Sequence, residues 1–503
     1  MTRWQPQAWM VYLALAVLSA GLYVGFSRQA GGVGFPLDDA WIHQVYARSL
    51  GERGELAFAP GQPSAGSTAP LWTLLLALGF VLHADPLLWT YALGMLVLAV
   101  TAWLAHQTVL ALRPRARLAP WAAGLLVLAE WRVVWSAASG METLLLGALA
   151  LVVLGGSTRP RWALLGLAAG LAVWVRPDGL LLAALLPLRW LGPGDPNDRA
   201  SRRWRRFWLN LLVAAGLVLA YLGFNWLVGG TVWPNTLYAK QAEYAALLQT
   251  PLPVRLAQLA AQPFIGVTAV LAPGLGLVFF SRREQTPGRE DQPDTRPQRN
   301  WLAALALVWV AALIGAYALR LPVTYQHGRY LMPTVPVLVA VGVAGLAGWV
   351  RPSSQRPWRR VVSRAWVAVT AAVALAFWGL GARAYAQDVQ IIQTEMVRAA
   401  KWIALNTADG AVIAAHDIGA LGFFGERPVL DLAGLVTPDV IPIMHDEARL
   451  AAWLDAAGAD YLMTFPGWYP QLTAQAEAVY ATGGTASPAA GGENMVVYRW
   501  AGR

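Results

Sequence analysis

Two adjacent carboxylates, Asp38 and Asp39, are the first residues in this chain whose placement suggests chemistry. They stand in "GFPLDDAWIHQVYARSL" (34–50), just after the first apolar run. An Asp at the head of a helix commonly accepts from first-turn amides, and Pro36 favours a turn before it. One cap needs only one acid. An adjacent pair can raise one pKa, hold a divalent cation, or set one acid as base and the other as orienter. His43 falls one turn beyond Asp39 on the same helical face, so Asp38, Asp39 and His43 together form a candidate site for Mg or Mn. A histidine in such a place is more often a plain surface residue.

Further charged groups interrupt apolar sequence at other points. "VRPDGLLLA" (175–183) carries Arg176 and Asp178, either as a turn whose charges reach water or as a cation facing an anionic ligand. "TVWPNTLYAKQ" (231–241) carries Lys240; only Lys401 joins it in a chain that otherwise uses Arg. A compact ammonium can bind phosphate as a point charge. "TYQHGRYLMP" (324–333) brings His327, Arg329 and Tyr330 to the mouth of a hydrophobic segment, and "WSAASGMETLLL" (135–146) adds Glu142. Each has an ordinary alternative: a surface lysine, a snorkelling arginine, a turn. Together they place acids, cations and a histidine at the ends of apolar runs.

The elements that must hold them are membrane helices. The chain has 503 residues, 57% hydrophobic and 13% charged, with mean hydropathy +0.45. Its repeated apolar runs approach the ~20 residues that cross a bilayer. In lipid such runs must be helical. About eleven spans are expected, at roughly 9–26, 86–112, 118–138, 142–156, 161–176, 178–191, 207–228, 263–281, 301–319, 333–350 and 361–381. The run 70–82 is too short and is expected to be a juxtamembrane or re-entrant helix. Leaving it out places the Arg-rich loops 113–117, 157–161, 199–207, 281–299 and 351–360 on one side, the positive-inside pattern. The N-terminus is then cytoplasmic. The first outer loop (27–85), the Asp pair and the C-terminal part are then extracytoplasmic. The 26 Trp suit interfacial belts. The net charge of +10 sits in these loops rather than on one soluble face, which argues against nucleic acid as a partner. The absence of Cys excludes disulfides, thiolate metal sites and Cys nucleophiles.

Residues 1–381 are thus expected to form a transmembrane module and 382–503 a soluble α/β domain. In the latter, strands are expected at 410–416, 427–435, 460–465 and 494–500, with helices at 388–406 and 445–458. His416, Asp417 and Asp431 fall at strand ends, where turn and cap roles compete with ligand binding.

"PLDDAWIHQVYARSLGERGELAFAPGQPSAGSTAPLWTLLLAL" closely resembles the first outer loop of bacterial GT-C glycosyltransferases. The nearest type is the mycobacterial terminal arabinofuranosyltransferase family. "SGMET", "RPDG", "PNTLYAK", "HGRYLMP" and "DIGALGFFGERPVLDLAGLVTPD" follow in that family's order across nearly the whole chain. The resemblance implies a polyprenyl-phosphate sugar as donor and a hydroxyl of a cell-envelope glycan, glycolipid or protein as acceptor, at the outer face of a bacterial plasma membrane. It implies Asp38 as base, Asp39 as orienter or metal ligand, and Arg329, Lys240, Arg176 and His327 toward the donor phosphate. It implies acceptor recognition by the C-terminal part, with His416 and Asp417 as candidates. No nucleotide is needed, and no Walker-type loop is present. Two other readings are a transporter or flippase of lipid-linked glycans, which would favour broken helices and mid-membrane charges, and an inactive sensor or scaffold, which would have no need of Asp38 and Asp39.

Overall fold

The computed structural model describes residues 6–155, 163–193, 200–280 and 296–500. The Arg-rich loop 157–161 and most of 281–299 lie outside the described residues. A helix lies at every expected span. Among the described residues, six helices are long and apolar enough to cross a membrane, or seven if one bent pair counts as a single span. The others, such as Ala119–Ala129 and Thr143–Leu154, are shorter apolar helices. Pro70–Val81 has 12 residues, or about 18 Å of helix against a ~30 Å hydrocarbon core.

Two interruptions of the helical pattern support one another. The segment expected as one span at 118–138 breaks at Glu130 into Ala119–Ala129 and Trp131–Ala138. Glu130 caps the second piece through the amide of Val133 at 2.9 Å. Its carboxylate also pairs with Arg132 at 3.1 Å. Arg132 then donates to the carbonyls of Pro263 and Ile265, each at 3.0 Å. Those carbonyls belong to the corner where Leu252–Phe264 turns by 103° into Val267–Phe280. Both charges are buried; a fully hydrogen-bonded pair is the form in which charges persist inside a bundle.

Close helix packing rests on glycine. Val267–Leu277 runs against Val335–Leu346. A Cβ at Gly274 would lie 2.0 Å from the Gly342 carbonyl oxygen, and one at Gly345 would lie 1.8 Å from that of Gly274. Small residues let backbones approach where lipid gives no hydrophobic drive. Gly345→Ala is therefore expected to destabilise the protein by about 1–3 kcal/mol, the usual range for overpacking, read as a lowered unfolding midpoint in detergent. An unchanged midpoint would show that the two helices can part.

Pro357–Ile392 is 36 residues long. It passes through a π turn at Gln393–Val397 into Arg398–Asn406, carrying the chain from the bundle to the C-terminal sheet. At that turn the buried Glu395 accepts from the amide of Met495 at 2.9 Å and from the Thr482 hydroxyl. That sheet consists of β3 (Ile413–Ala415), β4 (Val429–Asp431), β5 (Tyr461–Thr464), β6 (Glu477–Ala481) and β7 (Val496–Arg499). A separate ribbon, β1 (Ala57–Ala59) and β2 (Gln62–Pro63), lies between Asp39–Arg53 and Pro70–Val81. The five-stranded order is β4-β3-β5-β7-β6. β4, β3 and β5 are parallel, and β7 and β6 are antiparallel additions. The sequence reading did not include β6.

Candidate active site

The acidic pair faces two ways. Asp38 stands just before Asp39–Arg53, yet its side chain does not cap that helix. Its carboxylate accepts instead from the amides of Gly419 at 2.6 Å and Ala420 at 2.8 Å. These open the short helix Gly419–Phe424, where free amides attract a carboxylate. The approach is close: a Cβ at Gly419 would lie 2.1 Å from the Asp38 carbonyl oxygen. Asp38 thus ties the loop after the first helix to the C-terminal part.

Asp39 holds two cations. Its Oδ2 lies 2.6 Å from Arg329 Nη1 and 3.2 Å from Lys240 Nζ. Lys240 comes from Asn235–Glu243, and Arg329 follows the turn Gln326–Gly328. In that turn both Gln326 and His327 adopt positive φ, 54° and 60°. Such backbone is unfavourable for non-glycine residues and tends to occur at functional sites.

Two cavities meet at this cluster. The larger, about 650 Å³, is lined by Asp38, Asp39, Lys240, Glu243, His327, Arg329, Asp388, His416, Asp417 and Trp468 among others. The smaller, about 440 Å³, shares Asp39, Lys240 and Arg329 and extends past His43, Glu142, Arg176 and Asp178. Its wall is mostly apolar, with Ile42, Leu237 and Leu321.

The electrostatics separate the acids. Burial and the nearby charge of Asp417 push the Asp38 carboxyl well above the usual range, although the Gly419 and Ala420 amides oppose this. Burial also raises Asp417, partly offset by His416. The two acids share one buried space and titrate as a pair. Burial would raise Asp39 too, but Arg329 and Lys240 outweigh it and hold its carboxyl far below the usual range. Asp39 is the fixed anion, and Asp38 is the acid able to change protonation. Across the cavity, His416 Nδ1 bonds the Tyr469 hydroxyl at 2.8 Å, while its Nε2 lies 3.6 Å from Glu243 Oε1. Burial disfavours a charged His416, but Glu243 and Asp417 raise its pKa on balance.

The other candidates divide. His43 does not join the Asp pair; its Nε2 lies 3.2 Å from Glu142. Among the described residues no group of three or more His, Cys, Asp or Glu could hold a metal ion, so the trio Asp38, Asp39 and His43 is not assembled as one. Arg176 is not a free cation: Asp178 binds it at 2.9 Å and the Tyr317 hydroxyl at 2.6 Å, with Glu142 at 3.9 Å. His327 pairs with Asp388 at 2.7 Å, and Trp135 donates to the same oxygen at 2.9 Å. Lys240 and Arg329 are the expected cations that reach the junction of the cavities. Sequence reading missed Glu243, Asp388 and Tyr317. Glu243, three residues after Lys240 and so on its helix face, carried a legible signal.

Comparison with known proteins bears on the frame around this site. Residues 382–498 match a family model described as a domain of unknown function (DUF8728). Among curated proteins, none matches the chain. Among solved structures, ArnT from Cupriavidus metallidurans bound to undecaprenyl phosphate is similar, with TM-score 0.57 and 14% identity over 97% of each chain. The Archaeoglobus fulgidus oligosaccharyltransferase in its apo form gives TM-score 0.56 and 11% identity, over 90% of this chain and 69% of that one. Arabinofuranosyltransferase AftD from Mycobacteria gives TM-score 0.52 and 17% identity, over 96% of this chain but 39% of AftD. The chain has the GT-C fold that these glycosyltransferases share, and it is a multi-pass membrane protein.

Proposed function

We propose that this protein is a membrane glycosyltransferase. It moves a sugar from a polyprenyl-phosphate donor to a hydroxyl of a cell-envelope glycan, glycolipid or protein at the outer face of a bacterial plasma membrane. The observation that carries this reading is the convergence of Lys240 and Arg329 on Asp39 where two cavities meet. Its fold is shared with ArnT, whose structure holds undecaprenyl phosphate. The outer-face orientation is inferred from the sequence, where the expected topology sets the Arg-rich loops on the side opposite the Asp pair.

The donor phosphate lies on Lys240 and Arg329. The acceptor hydroxyl enters the larger cavity, loses its proton to Asp38, and attacks the anomeric carbon. The bond from that carbon to the phosphate oxygen breaks, and polyprenyl phosphate leaves. Cations placed where the leaving charge develops lower the barrier most. Asp39 holds those cations in position. Each Asp38 oxygen receives one amide hydrogen bond and retains a lone pair for a proton. A base whose pKa lies near the working pH is the effective one. Residues 382–503 act as an extracytoplasmic domain that brings Gly419, Ala420, His416 and Asp417 to the acceptor side.

The test is turnover by purified protein in nanodiscs, given radiolabelled polyprenyl-phosphate sugars and an envelope extract. Transfer or donor hydrolysis is expected with at least one donor. Saturable lipid binding without turnover for any donor would favour a transporter or scaffold. The pH profile supplies a second check. Turnover is expected to rise with pH as Asp38 loses its proton. Asp417→Asn removes the neighbouring negative charge, so this limb is expected to move to lower pH. Lys240, Arg329 and Asp39 also face the pair and keep their charges throughout. An unmoved limb in Asp417→Asn would detach Asp38 from the proton transfer.

A further inference from the structure

One wall of the smaller cavity is built of polar groups that the chemistry above does not use. His43, Glu142 and Arg176 are each 5% exposed or less. Arg176 is neutralised by Asp178 and Glu142, and Tyr317 bridges Arg176 and Asp178 with contacts of 2.6 and 2.7 Å. This wall therefore has no spare positive charge for a phosphate.

It does have unsatisfied hydrogen-bonding capacity. Besides Arg329 Nε at the cation end, three enclosed side-chain atoms of residues lining this cavity have neither a hydrogen bond nor an ion pair in the protein: His43 Nδ1, Asp178 Oδ1 and Thr236 Oγ1. Buried polar atoms are nearly always paired, so such a group calls for an explanation. An anion here would meet Asp178 and Glu142. A purely apolar occupant would leave all three atoms unpaired. A neutral ring bearing several hydroxyls suits them, because each hydroxyl can donate to Asp178, accept from a donor, or do both with Thr236. Lys240 and Arg329 border both cavities, so a ring attached to a phosphate on those cations has room beside this wall while the larger cavity takes the acceptor.

We propose that His43, Asp178 and Thr236 read the hydroxyls of the donor sugar and so decide which sugar the protein accepts. This rests on the donor assignment made above. Two substitutions probe it with little change of volume. Asp178→Asn keeps an acceptor for Arg176 and Tyr317 but turns the free acceptor into a donor. Thr236→Val removes the hydroxyl alone.

The experiment measures binding to full-length protein in nanodiscs of undecaprenyl phosphate and of a panel of undecaprenyl-phosphate-linked pentoses and hexoses. For wild type, at least one sugar-bearing lipid is expected to bind more tightly than the bare lipid phosphate. In each variant that preference is expected to fall roughly tenfold or more, or the order among epimeric sugars to change. Binding of bare undecaprenyl phosphate is expected to stay as in wild type in Thr236→Val, which leaves the Asp178 charge on Arg176 in place. An unchanged sugar order in both variants, or equal weakening of bare and sugar-bearing lipid, would overturn the inference. So would a wild type that gains nothing from any sugar, with the phosphate site left standing. Failure of wild type to bind even bare undecaprenyl phosphate would instead remove the donor assignment.

Discussion

Asp38→Asn is expected to lower glycosyl transfer by roughly 10²–10⁴-fold, the range over which a positioned general base acts. The substitution also disturbs the tie to the C-terminal part, because an amide NH₂ cannot accept from Gly419 or Ala420 as a carboxylate oxygen does. Thermal unfolding and binding of undecaprenyl phosphate must accompany the assay. A folded variant that still binds the lipid but has lost turnover, and whose residual rate no longer rises with pH, has lost its base. A variant with wild-type turnover would leave Asp38 only its structural contacts. Asp39→Asn has a different expected signature. Its charge holds Lys240 and Arg329, so its loss should weaken donor binding along with turnover.

Arg329→Gln is the second large effect. Removing one group that meets developing charge costs roughly 10²–10³-fold in other enzymes. A similar loss in turnover is expected here, with Lys240→Met somewhat milder because its ammonium lies farther from Asp39, at 3.2 Å against 2.6 Å. The two substitutions share one partner, so their effects should not add. Loss of Arg329 also removes the larger influence holding Asp39 ionised, and the Asp39 carboxyl should then titrate at higher pH. Turnover with any donor and weakened undecaprenyl phosphate binding are the readouts. Equal donor binding in wild type and both variants would separate these cations from the phosphate.

Much of this arrangement was legible in the sequence. The Asp pair, the exceptional Lys240 and the outward Arg329 stood out because charge at the end of an apolar run is costly without a partner. The helical frame followed from apolar run length, and the shortness of 70–82 was visible as such. The roles within the frame were less legible. Nothing local in "LDDA" shows that Asp38 turns toward amides 381 and 382 residues away while Asp39 turns toward Lys240 and Arg329. Helix phase separates adjacent side chains, but only the tertiary fold decides what each one meets. Arg176 looked like a phosphate ligand because its partners Glu142 and Tyr317 are distant in the chain. Glu130 and Arg132 interrupt the apolar run 118–138, yet the break there was not read, since the corner at Pro263 and Ile265 that Arg132 satisfies lies more than a hundred residues on. β6 was missed because it is a mostly exposed edge strand without a clear apolar alternation.

The most direct measurement is an experimental structure of the protein in nanodiscs with undecaprenyl phosphate added. The expected result is a phosphate within hydrogen-bonding distance of both Lys240 Nζ and the Arg329 guanidinium, at the junction of the two cavities. A phosphate bound elsewhere, with Lys240 and Arg329 still engaged only by Asp39, would contradict the donor site proposed here.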